Sequence, residues 1–284
     1  MCKIDIKFLP KSENLRLSLS EQGEKMSRRL LWINPVGIDS YDKPISDALR
    51  EEAFPDTRID VCSLRDVHMQ HLEYNAYEMV AAGPTIGAVR WGEENGYDAA
   101  VIGCFYDPFL RAAREVTQKM AVTAPAEACL HIANTLGERV SILVGRSKWI
   151  PEMHENVAKY GFADRLASFR VLEMTVNEFQ KDPACTEERI LEEARKAVKE
   201  DGADVIVLGC TIEFGFYKKV QDELGVPVID AIVAPLRYAE LLSDIRQRQN
   251  WGVSNALGYE TPDRAEMDAW VPVIEPKIYR DPRG

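Results

Sequence analysis

Two cysteines end closely related segments of this chain, and their repetition indicates a pair of thiols placed by an internal duplication. Residues 94–104 (ENGYDAAVIGC) return as residues 200–210 (EDGADVIVLGC), with six of eleven positions identical. The same offset aligns residues 120–136 with residues 226–242. Similarity of this length predicts two similar folding units, with Cys104 in one and Cys210 at the same place in the other.

Thiols related in this way can act on opposite faces of one small ligand. Removing a proton from a carbon next to a carbonyl requires a base on one face, and inversion requires an acid on the other. A thiolate and a thiol that face each other supply both, and they exchange roles with the direction of turnover. This chemistry needs neither a metal nor a prosthetic group, so we expect no cofactor.

The position of each thiol predicts its reactivity. Cys104 and Cys210 each follow a glycine and precede a predicted helix. The positive end of a helix lowers the pKa of a thiol below its ordinary value of about 8.5, so we expect thiolate character at neutral pH. The N–H groups of Phe105 and Thr211 are expected to hold a carboxylate or an enolate oxygen.

The other cysteines have simpler interpretations. Cys62 and Cys129 are expected to be small core residues, because free cysteine is among the most buried residue types. Cys185 is expected in an exposed loop. Six cysteines without a CxxC pair or a secretion signal indicate reduced thiols, so we expect a cytoplasmic protein.

Composition limits the partners. The 284 residues include 35 basic and 46 acidic side chains, and the net charge of -11 opposes binding to nucleic acid and to anionic membranes. No apolar segment approaches the ~20 residues that span a bilayer. His68 and His71 lack a clear third ligand, so no metal site is expected. We expect a small-molecule substrate and a homo-oligomer.

Apolar strands alternate with helices in both halves, which predicts parallel sheets covered on both faces. In the first half, strands are predicted at 30–33, 58–64, 99–102 and from 122, and helices at 45–54, 77–94 with a break at Gly83-Pro84, and 107–120. In the second half, strands are predicted at 140–144, 169–174, 205–208 and 226–229, and helices at 150–160, 187–199, 213–224 and 231–242.

This alternation predicts an α/β fold of two pseudo-symmetric, flavodoxin-like parallel-sheet domains. The active site is expected in the cleft between them, outside the carboxyl ends of the strands. We expect residues 26–123 plus 231–245 to form the first domain and residues 124–230 the second. Residues 1–25 are expected to be an N-terminal extension, and residues 246–284 a C-terminal extension or arm on its own or a neighbouring subunit.

The cysteine segments resemble a known family. VIGC at 101–104 and VLGCT at 207–211 are similar to the aspartate/glutamate/hydantoin racemase superfamily, and CFYDPFLRAARE at 104–115 is most similar to its hydantoin and allantoin racemase branch. INP at 33–35, GPTI at 83–86 and Glu127-Ala128 also match that branch. Over residues 30–242, the resemblance implies a cofactor-independent racemase or epimerase of a hydantoin, allantoin or amino acid, with Cys104 and Cys210 as paired bases.

Departures from the branch leave the substrate open. Branch members usually have Asn-Pro-Asn at 34–36, a small residue or glycine at Tyr106 and Phe109, and the amino-acid racemases have histidine at Ile212. The same scaffold also supports maleate-type cis-trans isomerases and decarboxylases, and two-lobed α/β proteins also serve as non-catalytic binding proteins. Two matched thiols favour an enzyme over a binding protein.

Position and analogy predict the residues that contact the substrate. They are Asn34, Thr85, Phe105, Tyr106, Thr123 and Thr211. The threonines also suit turn or cap roles. Arg146 takes the place of Asn34 in the second half, where it could clamp a carboxylate or remain solvated.

Overall fold

The computed structural model describes residues 27–281. The expected extension at 1–25 lies outside the described residues. The strands are β1 (Arg28–Asn34), β2 (Thr57–Ser63), β3 (Ala99–Ile102), β4 (Ala121–Thr123), β5 (Val140–Val144), β6 (Leu166–Val171), β7 (Val205–Leu208), β8 (Val228–Ile229) and β9 (Lys277–Ile278). The helices are α1 (Asp42–Glu52), α2 (Asn75–Glu94), α3 (Leu110–Glu115), α4 (Pro125–Leu136), α5 (Ile150–Lys159), α6 (Pro183–Glu200), α7 (Tyr217–Leu224), α8 (Val233–Gln249) and α9 (Arg264–Trp270).

The two halves form sheets of the same topology. One sheet has the order β4-β3-β1-β2-β9, and the other, read in the matching direction, has the order β8-β7-β5-β6. All pairings are parallel except that of β9, which lies antiparallel to β2. The predicted fold class, two α/β domains with parallel sheets, is confirmed, and β3 and β7 occupy equivalent places in the two sheets.

The helices that follow the fourth strands exchange sheets. Helix α4 leaves β4 but packs against β7 and β8, whereas α8 leaves β8 and packs against β1, β3 and β4. The two helices also pack on each other. Each sheet is therefore covered in part by a helix from the other half of the chain, which fixes the two sheets relative to one another.

Helix α2 is continuous, so the predicted break at Gly83-Pro84 is wrong. Pro84 lies inside the helix and cannot donate a backbone hydrogen bond. The next residue, Thr85, donates a hydrogen bond from its hydroxyl to the Ala81 carbonyl at 2.7 Å within the same helix. Within residues 27–281, no helix is long and apolar enough to cross a membrane.

Helices α3 and α7 begin later than predicted because left-handed residues precede them. Asp107 and Phe109 have φ values of 50° and 59°, and Gly215, at the place equivalent to Phe109, has a φ of 92°. A right-handed helix cannot include such residues. Strand β6 also lies three residues earlier than predicted, and the chain beyond it turns at Glu173, where φ is 52°.

The C-terminal segment, residues 250–281, packs on its own chain. Arg90 on α2 is only 2% exposed and donates hydrogen bonds to the carbonyls of Met267 and Val271 and to the carboxylate of Asp268. Further along, β9 adds an antiparallel strand to the edge of the first sheet. The buried guanidinium of Arg90 is therefore the main polar anchor of α9.

Replacing Arg90 is expected to release this segment. Arg90→Met removes three hydrogen bonds from a buried group, and we expect a loss of about 2 kcal/mol in the free energy of unfolding, with faster proteolysis between residues 250 and 281. Urea unfolding and limited proteolysis measure both. Arg264→Met is the matched control, because Arg264 pairs with the same Asp268 but its side chain is 66% exposed. Equal behaviour of the two variants would contradict the anchor role.

Candidate active site

A cavity of about 70 Å³ lies between the carboxyl ends of the two sheets. Its walls come from the segments that follow β1, β2 and β3 in the first sheet and β5, β6 and β7 in the second. Six of the predicted site residues line it: Asn34, Cys104, Phe105, Tyr106, Cys210 and Thr211. The duplicated cysteines therefore lie in the walls of one common cavity.

Each cysteine is held in a similar turn. The backbone N–H of Asp107 donates to the Cys104 carbonyl at 2.9 Å, and the N–H of Glu213 donates to the Cys210 carbonyl at 3.0 Å. The N–H two residues later favours the thiolate of each cysteine: that of Ile212 donates to the Cys210 sulfur at 3.5 Å, and that of Tyr106 acts on the Cys104 sulfur. The repeat thus preserves the thiol's immediate backbone surroundings.

The glycines before the cysteines are required by close packing. A Cβ atom on Gly103 would lie 2.4 Å from Nε1 of Trp32, and one on Gly209 would lie 2.4 Å from the carbonyl oxygen of Leu143. The Gly103 carbonyl also accepts a hydrogen bond from the Thr211 hydroxyl at 3.3 Å. This bond joins the turn that carries one cysteine to the turn that carries the other.

Both thiols have raised pKa values, so the expected thiolate character in the unliganded protein is wrong. Burial raises the pKa of Cys104 above its usual range, and the N–H of Tyr106 offsets only part of this effect. Burial also raises the pKa of Cys210, with the Glu213 carboxylate as the next cause. Neither cysteine lies at a helix N-terminus, because α3 and α7 begin six and seven residues later. At each thiol, desolvation therefore raises the pKa by more than the single N–H donor lowers it.

The Asn34 carboxamide lines the cavity and is fixed by hydrogen bonds to two other residues of the chain. Its oxygen accepts a hydrogen bond from Nε1 of Trp32 at 2.8 Å, and its nitrogen donates to Asp42 at 2.6 Å. Burial raises the pKa of Asp42 to about 6, although the hydrogen bond from Asn34 opposes the shift. Both Asn34 side-chain atoms thus have partners within the chain, and one Nδ2 hydrogen remains for a ligand.

Thr85 and Thr123 lie outside the cavity wall. Both are fully buried. The Thr85 hydroxyl bonds within α2, and the Thr123 hydroxyl donates to the Glu127 carboxylate at 3.0 Å. Glu127 also pairs with Arg114 at 2.6 Å. The structure therefore does not bring these two threonines together with the cysteines.

The loop between β2 and α2 supplies cavity residues that the sequence did not reveal. It contributes Gln70, His71, Leu72 and Glu73. The available signal was positional, because this loop follows a predicted strand at its carboxyl end. His71 stood out only as a possible metal ligand, and no motif marked the other three residues.

Glu73 connects this loop to the second half of the chain. Its side chain is 3% exposed and its carboxylate accepts hydrogen bonds from Arg146 at 2.7 Å and from the backbone N–H of Val176 at 3.1 Å. Arg146 is therefore paired rather than free to clamp a substrate carboxylate. Each carboxylate oxygen of Glu73 retains a lone pair for a ligand N–H.

The electrostatic surroundings of the cavity are acidic. Burial, and then the hydrogen bond and charge of Glu152 from the other half of the chain, raise the pKa of Glu78 to about 8, so Glu78 is largely protonated at neutral pH and Glu152 carries the charge of the pair. Both carboxylates act on Cys104. No lysine or arginine is among the lining residues in the described part of the chain. The cavity therefore disfavours negatively charged ligands.

The remaining wall is largely apolar. Trp149 and Met153 lie on one side, with Val36, Leu72 and Ile212 elsewhere in the lining. Across residues 27–281, no group of three or more His, Cys, Asp or Glu side chains is arranged to hold a metal ion. The site thus combines two thiols, a few backbone donors and an apolar surface.

Alkylation at different pH values tests the raised thiol pKa values. At pH 7, iodoacetamide is expected to label Cys185 first, because it is exposed. Labelling of Cys104 and Cys210 should start slowly and rise about tenfold per pH unit as the thiolate fraction grows. Peptide mass spectrometry between pH 6 and 10 measures each site. Fast labelling of Cys104 or Cys210 at pH 7 would show that burial does not raise the pKa of that thiol.

The chain is similar to known proteins in both sequence and fold. A sequence model of the Asp/Glu/hydantoin racemase family matches residues 30–239. The chain is 34% identical over 234 residues to a hydantoin racemase of Pseudomonas sp. (strain NS671), covering 82% of this chain and 92% of the relative. It is 35% identical to a hydantoin racemase of Paenarthrobacter aurescens, covering 82% and 93%. The solved structure of an allantoin racemase from Klebsiella pneumoniae matches with a TM-score of 0.77 and 30% identity, covering 84% of this chain and 95% of that one.

Proposed function

The chain belongs to the Asp/Glu/hydantoin racemase family and is an isomerase of the racemase type, and we propose that it inverts C5 of a 5-substituted hydantoin with Cys104 and Cys210 as paired acid and base. One observation carries this proposal: thiols from equivalent turns of two duplicated sheets line the same cavity. The relatives named hydantoin racemase and allantoin racemase support a five-membered cyclic ureide as substrate.

The proposed reaction moves one proton onto the substrate and one off it. The Cys104 thiolate takes the proton from C5, and the electron pair of that C–H bond moves into the neighbouring carbonyl to form an enolate. The Cys210 thiol then gives its proton to the opposite face of C5, and the carbonyl re-forms. For the other enantiomer, the two cysteines exchange roles.

Backbone donors are available for the enolate oxygen. Within the described residues, the N–H groups of Phe105 and Thr211 have no acceptor from the chain. They follow the two cysteines directly, so they lie where negative charge develops next to C5. Hydrogen bonds from such fixed donors stabilise an enolate more than the neutral carbonyl.

Charge favours a neutral ring over a free acidic amino acid. The Glu152 carboxylate acts on Cys104 and the Glu73 carboxylate acts on Cys210. Arg146 is already paired with Glu73. Aspartate, glutamate, maleate and malonates would bring one or two further negative charges into this field. A hydantoin brings none, and the carboxylate of Glu73 can accept one of its ring N–H groups.

The apolar wall favours an apolar C5 substituent. Trp149 and Met153 are buried and lie in the cavity lining. A hydrocarbon or aromatic substituent gains about 25 cal/mol per Å² of apolar surface removed from water. The polar ureido group of allantoin would gain less from this apolar surface. We therefore place alkyl- and arylmethyl-hydantoins ahead of allantoin.

Two other activities remain as alternatives. A maleate-type isomerase or a decarboxylase acts on dicarboxylates, and among the described residues that line the cavity no lysine or arginine offsets their second charge. A non-catalytic binding protein has no use for two equivalent thiols. Both alternatives are addressed by supplying maleate, phenylmalonate, aspartate, glutamate and allantoin alongside the hydantoins and following substrate loss, optical rotation and exchange with D2O.

Serine variants of the two cysteines test the paired roles. Cys104→Ser or Cys210→Ser should lower racemisation of 5-benzylhydantoin by at least about 10² to 10⁴. Each variant should still exchange deuterium into one enantiomer with retention, and the two variants should do so with opposite enantiomers. Chiral chromatography with mass spectrometry measures both quantities. Cys185→Ser is the matched control and should keep full activity. Near-normal racemisation by either cleft variant would exclude the two-thiol mechanism.

A further inference from the structure

The loop after β1 contributes the Asn34 carboxamide to the cavity wall, and the C-terminal strand β9 contacts that loop. Residues 34–36 line the cavity. The backbone N–H of the next residue, Gly37, donates to the Met69 carbonyl at 3.0 Å. The Gly37 carbonyl accepts a hydrogen bond from Nζ of Lys277 on β9, also at 3.0 Å. The C-terminal segment therefore reaches a loop that lines the site.

Strand β9 lies at the same end of the first sheet as the cavity. Asn34 lies opposite Ser63 where β1 pairs with β2, and Lys277 lies opposite Ser63 where β9 pairs with β2. Residues in register across a sheet project their side chains from the same face. Asn34 and Lys277 therefore belong to one row of the sheet, at the carboxyl ends of β1 and β2.

The Asp42 carboxylate connects Lys277 with the Asn34 carboxamide. Asp42 is 1% exposed and accepts a hydrogen bond from Nδ2 of Asn34 at 2.6 Å. Burial raises the pKa of Asp42 to about 6, and the positive charge of Lys277 opposes this shift. An ionised carboxylate only accepts hydrogen bonds, and the indole N–H of Trp32 only donates. Together they fix which end of the Asn34 carboxamide faces each of them.

Strand β9 is attached to the first sheet at other points as well. The backbone N–H of Tyr279 donates to the Val61 carbonyl at 2.8 Å, and the Glu275 carbonyl accepts a hydrogen bond from Nε of Arg65 at 2.8 Å. Changing the Lys277 side chain therefore removes its contact with the loop while these attachments remain.

We propose that Lys277 is a positioning residue for substrate binding: through the Gly37 carbonyl and the Asp42 carboxylate it fixes the loop and the Asn34 carboxamide, whose remaining Nδ2 hydrogen then bonds a carbonyl oxygen of the substrate. This role rests on the proposed function, in which the ligand is a hydantoin ring with two carbonyl groups. Lys277 acts through Asn34 and does not touch the substrate.

The contact belongs to the C-terminal segment of this chain. The racemase family model matches residues 30–239, and β9 lies beyond them. The cysteines, Asn34 and Asp42 all fall within the matched residues, whereas Lys277 does not. The proposal therefore gives the segment after α8 a part in binding the substrate.

Amide hydrogen exchange tests the contact with the loop without any turnover. The N–H groups of Gly37 and Leu64 join this loop to its neighbours, since Leu64 donates to the Val36 carbonyl at 2.8 Å. In Lys277→Met, exchange at these two amides should become about three- to tenfold faster, the size expected for loss of one hydrogen bond. Lys277→Arg keeps a donor and should restore slow exchange.

Arg280→Met is the matched control for the loss of a cation. Arg280 is an exposed basic residue of the same segment, as Lys277 is. This variant should leave exchange at both amides unchanged. Unchanged exchange in Lys277→Met, or equal acceleration in Arg280→Met, would overturn the proposal.

A double-mutant cycle tests whether Lys277 acts through Asn34. For racemisation of 5-benzylhydantoin, Lys277→Met should raise KM about three- to tenfold and change kcat less, because the lost contact serves binding and not proton transfer. Asn34→Ala should also raise KM. In the Asn34→Ala chain, Lys277→Met should raise KM no further, because no carboxamide is left to position. Additive effects on KM would contradict the proposal.

A ligand that cannot react allows this proposal and the proposed reaction to fail separately. The compound 5-benzyl-5-methylhydantoin has no hydrogen at C5, so calorimetric titration measures its affinity in the same four chains without turnover. Non-additive losses of affinity in a protein that does not racemise 5-benzylhydantoin would support the role of Lys277 and reject the reaction. Additive losses in an active racemase, or no binding to the intact chain, would reject the role of Lys277.

Discussion

The cost of placing a negative charge in the largely apolar cavity between two sheets governs this site. Burial raises the pKa of both Cys104 and Cys210, and one backbone N–H per thiol offsets only part of that cost. The cavity therefore suits a substrate that is neutral when it binds and becomes an enolate only as a thiolate gives up its charge. Total charge in the site then stays constant through the reaction, which limits the electrostatic barrier.

Duplication gives the two cysteine turns the same backbone conformation, whereas the side chains that line the cavity next to the cysteines differ between the two halves. The two turns repeat the glycine, the cysteine, the N–H donor and a carboxyl three residues on. In contrast, Phe105 faces the cavity in one half where the other half has Thr211, and Tyr106 corresponds to Ile212. The two faces of a chiral substrate ring differ, because the substituent at C5 projects from only one of them. A cavity with two identical walls would bind that substituent equally well on either side.

The sequence predicted strands β1 to β8, with β6 displaced by three residues, and the two-domain α/β fold, because these depend on apolar runs and an internal repeat; the short edge strand β9 was missed. Helix starts were less predictable, since the left-handed φ of Phe109 is unusual for a residue with a side chain. Glu73 was missed because its role depends on contacts with Arg146 and Val176, which are 73 and 103 residues away. The thiol pKa was predicted in the wrong direction because the sequence revealed neither the late starts of α3 and α7 nor the extent of desolvation.

Deuterium distribution at low conversion tests the central claim most directly. The intact protein is given one enantiomer of 5-benzylhydantoin in D2O, and C5 deuterium is measured separately in product and residual substrate after subtraction of uncatalysed exchange. Because each thiol serves one face and exchanges its proton with solvent, the account predicts a deuterated product and a protiated residual substrate, from either enantiomer. Equal deuterium in both, or a product that retains the original hydrogen, would contradict it.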